Sequence, residues 1–162
     1  TDVTSIANLE GSVFAYADPY SNTGYLAPRY EIRQLGRDPA SFFRKTFFTW
    51  SHRKVVEAVA SGLARGGAVD SYIWETLAHV EPALAKRTRV VSRSPDYGFP
   101  PFVAHRSVSQ GDFQLMQGHL LGTAGTERGR KLLARLYLDG FTTGSPRIYD
   151  SVAQMMRAFG ES

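Results

Sequence analysis

An α/β fold with mainly parallel strands is predicted for residues 9–95, followed by a mostly helical segment over 96–162. Three observations predict it. Short apolar runs alternate with amphipathic runs of helical period up to residue 94. Helix-capping residues stand directly after the apolar runs, as strand-to-helix junctions require. Beyond residue 94 the composition turns to proline, glycine and aromatics, and then to helical patterns alone.

The elements follow in order. "SVFAYAD" (12–18) reads as a mostly apolar strand. "TGYLAPRYEIRQLG" (23–36) reads as a helix, with Pro28 near its start and Gly36 as its stop. "KTFFTW" (45–50) is a second strand. "SHRKVVEAVASG" (51–62) is a helix capped by Ser51, striped by Val55, Val56 and Val59, and ended by Gly62. "GGAVDSY" (66–72) is expected as a third strand, "IWETLAHV" (73–80) as a helix and "RVVSRS" (89–94) as a fourth strand. "SPDYGFPPFVAH" (94–105) suits a crossing or hinge segment that ends in a strand-like run.

Three helices are expected after the hinge. Ser109 and Asp112 form a short version of a capping box, and Phe113, Met116 and Leu120 share the face behind it. The next run, 127–140, is expected to bury Leu132, Leu133 and Leu136 before a turn at Asp139-Gly140. The last, 149–160, is expected to bury Val152, Met155 or Met156, and Phe159, with Gly160 as its stop. There is no internal repeat.

Composition narrows the function classes. The chain is 43% hydrophobic with 12% aromatics, enough for a buried core, and no apolar run approaches the roughly 20 residues that span a bilayer. The net charge is +4, but no stretch holds four consecutive basic residues. That scatter is expected of a solvated surface, and no nucleic-acid partner is expected. The absence of cysteine excludes disulfides, thiolate metal sites and thiol catalysis. The polar start "TDVTSIANLEGS" contains no signal-peptide core.

The run Ser21-Asn22-Thr23-Gly24 stands at the first strand-to-helix junction. A helix start has unpaired N–H groups and the positive end of the dipole, and these side chains add neutral donors. Gly24 lets the backbone approach closely. Such a run fits a tetrahedral oxyanion, and it equally fits an ordinary N-cap. It is neither a Walker phosphate loop nor a dinucleotide fingerprint. His52 begins the second helix, also after a strand, where it can donate to the same anion or lie near a cap on the surface. Asp70 and Tyr72 end the expected third strand; Asp70 can receive a donor or cap a helix, and Tyr72 can line a cleft or pack. His79, His105 and His119 have no metal-ligand spacing. No nucleophile elbow and no paired carboxylates are found, so no enzyme, metal or cofactor is expected.

The order of these elements resembles the phosphonate/phosphite/phosphate-type periplasmic substrate-binding proteins of ABC transporters. The resemblance is carried by "NLEGSVFAYADPYSNTGYLAPRY", "SHRKVVEAVASG", "GGAVDSYIW", "SPDYGFPPFVAH" and "DGFTTGSPRIYDSVAQMMRAFG", in that order. The most specific part is Asp-Pro, then a Ser/Thr cluster, then Gly-Tyr. The resemblance implies a two-lobed α/β clamp of the type II kind that closes on an anion. It assigns the oxyanion to Ser21, Asn22 and Thr23 beside Gly24, and ligand contact to His52, with Asp70 and Tyr72 lining the cleft.

The chain departs from that family in three ways. Asn22 stands where a hydroxyl is common, and Tyr72 and Pro100-Pro101 stand where binders of aminophosphonates place acids. These two departures favour phosphate, phosphite or a simple phosphonate over an aminoalkyl phosphonate. The third is length: residues 9–95 would be the second lobe, and 96–162 the hinge and an incomplete returning part of the first. A homodimer or an exchanged segment is then expected to cover the apolar faces left open. The resemblance also implies a periplasmic or other extracytoplasmic location and an ABC permease as partner. Two other uses of such a lobe are a ligand-binding sensor domain and the effector-binding domain of a transcription regulator.

Overall fold

Three parallel strands form the sheet of this computed structural model, which describes residues 3–160. β1 (Val13–Tyr16) is central, with β2 (Lys45–Phe48) on one side and β3 (Gly66–Gly67) on the other. Val13 pairs with Lys45 and Tyr16 with Phe48; Phe14 pairs with Gly66 and Ala15 with Gly67. All three strands therefore end at one carboxyl edge.

The chain divides into two units, residues 3–96 with 151–160, and residues 97–150. In the first, β1 alternates its side chains between two apolar clusters, as a two-residue period demands. Phe14 and Tyr16 join Ile6, Leu9, Ile32, Phe42 and Phe43 on one face. Ala15 and Ala17 join Val55, Ala58 and Ala64 on the other. The first cluster packs against α1 (Ala27–Gln34) and the second against α2 (His52–Ala60). Pro28 is the second residue of α1. Gly36 and Gly62 follow the helix ends with φ of +73° and +79°.

α3 (Ser71–Val80) and the short α4 (Pro82–Ala85) follow β3. The expected third strand is thus cut to two residues. Asp70 accepts the N–H of Tyr72 at 3.0 Å and starts a helix there, so Ser71 and Tyr72 are helical. The expected fourth strand at 89–94 does not form, nor does the strand-like run before His105. A strand exists through its ladder bonds, and no strand of this sheet pairs with either run.

The second unit carries α5 (Gln110–Leu121) and α6 (Glu127–Arg135). Ser109 caps α5 as expected, accepting the N–H of Asp112 at 3.1 Å and donating to its carboxylate at 2.7 Å. The apolar face expected behind it is open: Phe113 and Met116 are exposed. On α6 only Leu133 of the three expected leucines is buried, with Leu132 and Leu136 about half exposed. Within this unit the Tyr149 hydroxyl donates to the carbonyl of Phe99 at 2.8 Å.

α7 (Asp150–Ala158) returns to the first unit from Ser151 onward and buries Met155, with Val152 and Phe159 half-buried. The Arg29 guanidinium lies 4.2 Å from the centre of the Phe159 ring and 4.5 Å from that of Tyr25. Arg33 donates to the carbonyl of Ala158. A cation between two rings thus ties α7 to α1.

Candidate anion site at the carboxyl edge of the sheet

Each strand end delivers one part of the site. After β1, Asp18 turns the chain: its carboxylate accepts the N–H of Tyr20 at 2.9 Å and its carbonyl that of Ser21 at 3.3 Å. Ser21 then caps a wide turn, Asn22–Leu26, that runs directly into α1. Its hydroxyl accepts the N–H of Gly24 at 2.9 Å, and its carbonyl that of Leu26 at 3.0 Å. Gly24 is pressed against the strand end. A Cβ there would stand 2.4 Å from the Ala17 Cβ and 2.9 Å from both the His52 Cε1 and the Ser21 Oγ.

After β2, His52 opens α2. Its Nδ1 receives the backbone N–H of Asp70 at 3.1 Å, so Nδ1 is an acceptor and carries no proton. The proton of the neutral ring then sits on Nε2, which lies 3.4 Å from the Ser21 Oγ. Burial pushes the His52 pKa down, against the opposing pull of Asp70 and Asp18. Geometry and burial agree on a neutral ring with an N–H at Nε2.

After β3, Asp70 is consumed by structure. One carboxylate oxygen caps α3 and the other accepts the Thr23 hydroxyl at 3.1 Å. Its charge is thereby met by two donors and by the positive end of α3. Tyr72 sits half-buried in the first turn of that helix.

Of the seven residues expected at the site, Ser21, Thr23, Gly24, His52 and Asp70 form one connected set. Asn22 and Tyr72 adjoin it along the chain, and the Asn22 Oδ1 is buried without a partner among the described residues. The Ser21 hydroxyl accepts the Gly24 N–H at 2.9 Å and keeps its own proton for another acceptor. The His52 Nε2–H lies beside it at 3.4 Å, longer than an ordinary N–H···O bond and so open to a ligand oxygen as well. The N–H groups of Asn22 and Thr23 lead the turn, the position a helix leaves without internal acceptors. The arrangement offers neutral donors at a helix start. Two parts escaped sequence reasoning: the Asp70 N–H held on His52, and the turn made by Asp18. An Asp-Pro three residues before a Ser at a strand end is the signal for the second, since an Asp side chain accepts the N–H two residues on. His79, His105 and His119 lie outside the set and are not buried. Among the described residues no group of metal-ligating side chains is found.

A family model described as the periplasmic phosphonate substrate-binding protein of ABC transporters matches residues 1–149. No curated protein matches the chain. Among solved structures, a binding-protein component of an ABC phosphonate transporter from Pseudomonas aeruginosa is similar, with 23% identity and a TM-score of 0.84. The alignment covers 96% of this chain and 53% of that one. PhnD1 from Prochlorococcus marinus, in complex with methylphosphonate, has 18% identity and a TM-score of 0.79, over 100% of this chain and 62% of its own. A Xanthomonas citri protein bound to chloride has 20% identity and a TM-score of 0.69, over 99% of this chain and 63% of its own. The chain thus spans between about half and under two thirds of the length of these structures. They show its fold to be that of part of a type II periplasmic binding protein, with a small parallel sheet flanked by helices. The family is one of transport substrate-binding proteins rather than enzymes. With the family match running through the sheet, the donor-lined turn and both units, the chain belongs to the periplasmic phosphonate substrate-binding proteins of ABC transporters.

Proposed function

We propose that this chain holds a small tetrahedral oxyanion, a phosphonate, phosphite or phosphate, as part of an extracytoplasmic solute-binding protein that delivers it to an ABC permease. The observation that carries the reading is the donor set at the carboxyl edge: the Ser21 hydroxyl proton, the leading N–H groups of Asn22 and Thr23, and the His52 Nε2–H. An anion placed before that turn gains the helix-start potential, roughly half an elementary charge. It also gains several hydrogen bonds to neutral donors, each strengthened by the ligand's charge. No lysine or arginine belongs to the connected set, so the site binds without forming an ion pair, which suits release to a permease.

The Thr23 hydroxyl donates to Asp70, so Thr23 contributes its backbone N–H and braces the turn. Asp70 holds Thr23 and His52 in place. The mechanism is capture followed by closure of a two-lobed clamp, a hinge motion with no bond made or broken. Association through the open α5 face, around Phe113, Leu115 and Met116, is a further proposal, read by light scattering.

The test is a calorimetric panel of phosphate, phosphite, methylphosphonate, sulfate and methanesulfonate on the full-length protein. Binding of one or more phosphorus oxyanions is expected, with a loss of at least about tenfold in a Ser21→Ala/Thr23→Ala double variant. Binding of none of them, or an unchanged affinity in the double variant, overturns the assignment.

A further inference from the structure

Trp50 has a φ of +60°, in the left-handed region that bulky residues rarely enter. Its backbone position is fixed by bonds to the end of β1. Between β2 and His52 the chain is pinned by the Thr49 N–H on the Tyr16 carbonyl at 3.0 Å and the Trp50 N–H on the Ala17 carbonyl at 2.7 Å. Glycine would meet that requirement without strain. The residue there is instead a tryptophan whose side chain supports little of the core. It is 68% exposed, and the one ring neighbour described for it is Phe48, at 6.0 Å between centres. A strained backbone carrying an exposed indole, two residues before His52 and bonded to the residue that presses on Gly24, points to a role at the ligand.

The donors described above hold oxygens. They are blind to the fourth substituent on phosphorus, which only a neighbouring surface can read. We propose that the Trp50 indole is that surface, and that the ligand is an organophosphonate with an apolar or aromatic substituent lying against it. This rests on the oxyanion reading of the site and deepens it. Inorganic phosphate places an oxygen at the fourth corner and gains nothing from the indole. A methyl group gains a small apolar contact, and a phenyl group gains ring stacking.

The experiment measures affinities for phosphate, methylphosphonate and phenylphosphonate by calorimetry on the wild-type protein and on Trp50→Gly and Trp50→Phe. The expected wild-type order is phenylphosphonate tighter than methylphosphonate, and methylphosphonate tighter than phosphate. In Trp50→Gly the preference for phenylphosphonate over phosphate is expected to shrink by about tenfold or more, with phosphate affinity and melting temperature maintained. Trp50→Phe is expected to keep most of the preference. Emission of Trp50, isolated in a Trp74→Phe background, is expected to change with phenylphosphonate. A Trp50→Gly protein that keeps the wild-type order overturns the inference. So does one that loses all three ligands equally at an unchanged melting temperature. If the wild-type protein binds no phosphorus oxyanion, the oxyanion reading has failed, and that result is distinct from either of these.

Discussion

The backbone N–H of Asp70 donates to the Nδ1 of His52 at 3.1 Å, across 18 positions of sequence. This bond decides the chemistry of the ring. A backbone N–H cannot be turned into an acceptor, so Nδ1 stays unprotonated and Nε2 carries the single proton. The two functions of the ring separate by atom, one nitrogen fixed to the scaffold and the other offered at the Ser21 hydroxyl.

His52→Gln and His52→Asn separate them experimentally. The glutamine amide nitrogen reaches the place of Nε2 and keeps a donor toward the ligand. The asparagine oxygen takes the place of Nδ1 and keeps the Asp70 bond, with no donor reaching the ligand. Anion affinity is expected to stay within about threefold for His52→Gln and to fall about tenfold for His52→Asn, the value of one net hydrogen bond to an ion. Calorimetry with the tightest oxyanion of the panel reads both. Equal losses would remove the Nε2–H from the site.

Protonation of His52 would put a proton on Nδ1 facing the Asp70 N–H. Burial holds the folded pKa below the ordinary 6.5 against the pull of Asp70 and Asp18, and the Nδ1 geometry disfavours the added proton in the same direction. The unfolded chain therefore binds the proton first as pH falls. Stability is full above about pH 6.5 and declines as pH drops from there toward the lower folded value. Melting temperatures taken from about pH 8 to about pH 5 should show a component of this sign in the wild type and lack it in His52→Gln. An identical profile in the variant would mean that another group carries the dependence.

Gly24 and Gly36 are both glycines beside a helix, for different reasons. Gly24 is needed for space, because a Cβ would lie 2.4 Å from the Ala17 Cβ. Gly36 is needed for its φ of +73°, with open space around it. Gly24→Ala is expected to cost about 1–3 kcal/mol and to weaken anion binding, since the added methyl also meets Ser21 and His52. Gly36→Ala is expected to cost about 1 kcal/mol and to leave affinity unchanged. Thermal melts and calorimetry on the pair distinguish crowding at the site from a general loss of stability.

Local chemistry made much of this legible in the sequence. β1, β2 and α2 follow from alternation, the Val55/Val56 stripe and the Gly62 stop, all properties of neighbouring residues. The third strand was overestimated because Asp70 can cap a helix as well as end a strand, and the cap won. The run at 89–94 has strand-like residues, but strand formation depends on a partner elsewhere in the chain. The same limit applies to the site. Ser21, Gly24 and their turn are local and could be read. The Thr23 to Asp70 bond spans 47 positions, and the left-handed backbone of Trp50 is imposed by its bond to Ala17; neither has a local signature.

Tyr16 gives a test of the core beneath the site. It is 3% exposed, and its ring packs edge-on to Tyr25 at 5.0 Å and Phe14 at 5.1 Å between centres. Its hydroxyl has no protein partner among the described residues, and burial pushes its pKa up, keeping it neutral throughout the working range. A buried hydroxyl without a partner costs about 1–3 kcal/mol of desolvation. Tyr16→Phe removes that cost and keeps both ring contacts. It leaves a void of roughly 15 Å³, worth only a few tenths of a kcal/mol at about 24 cal/mol per Å³. The larger effect wins, so the variant is expected to gain about 1 kcal/mol, read as a rise of roughly 2–4 °C in melting temperature. A fall instead would show that the hydroxyl is bonded in solution, and it would place a polar group inside the cluster that supports the Tyr25 side of the turn.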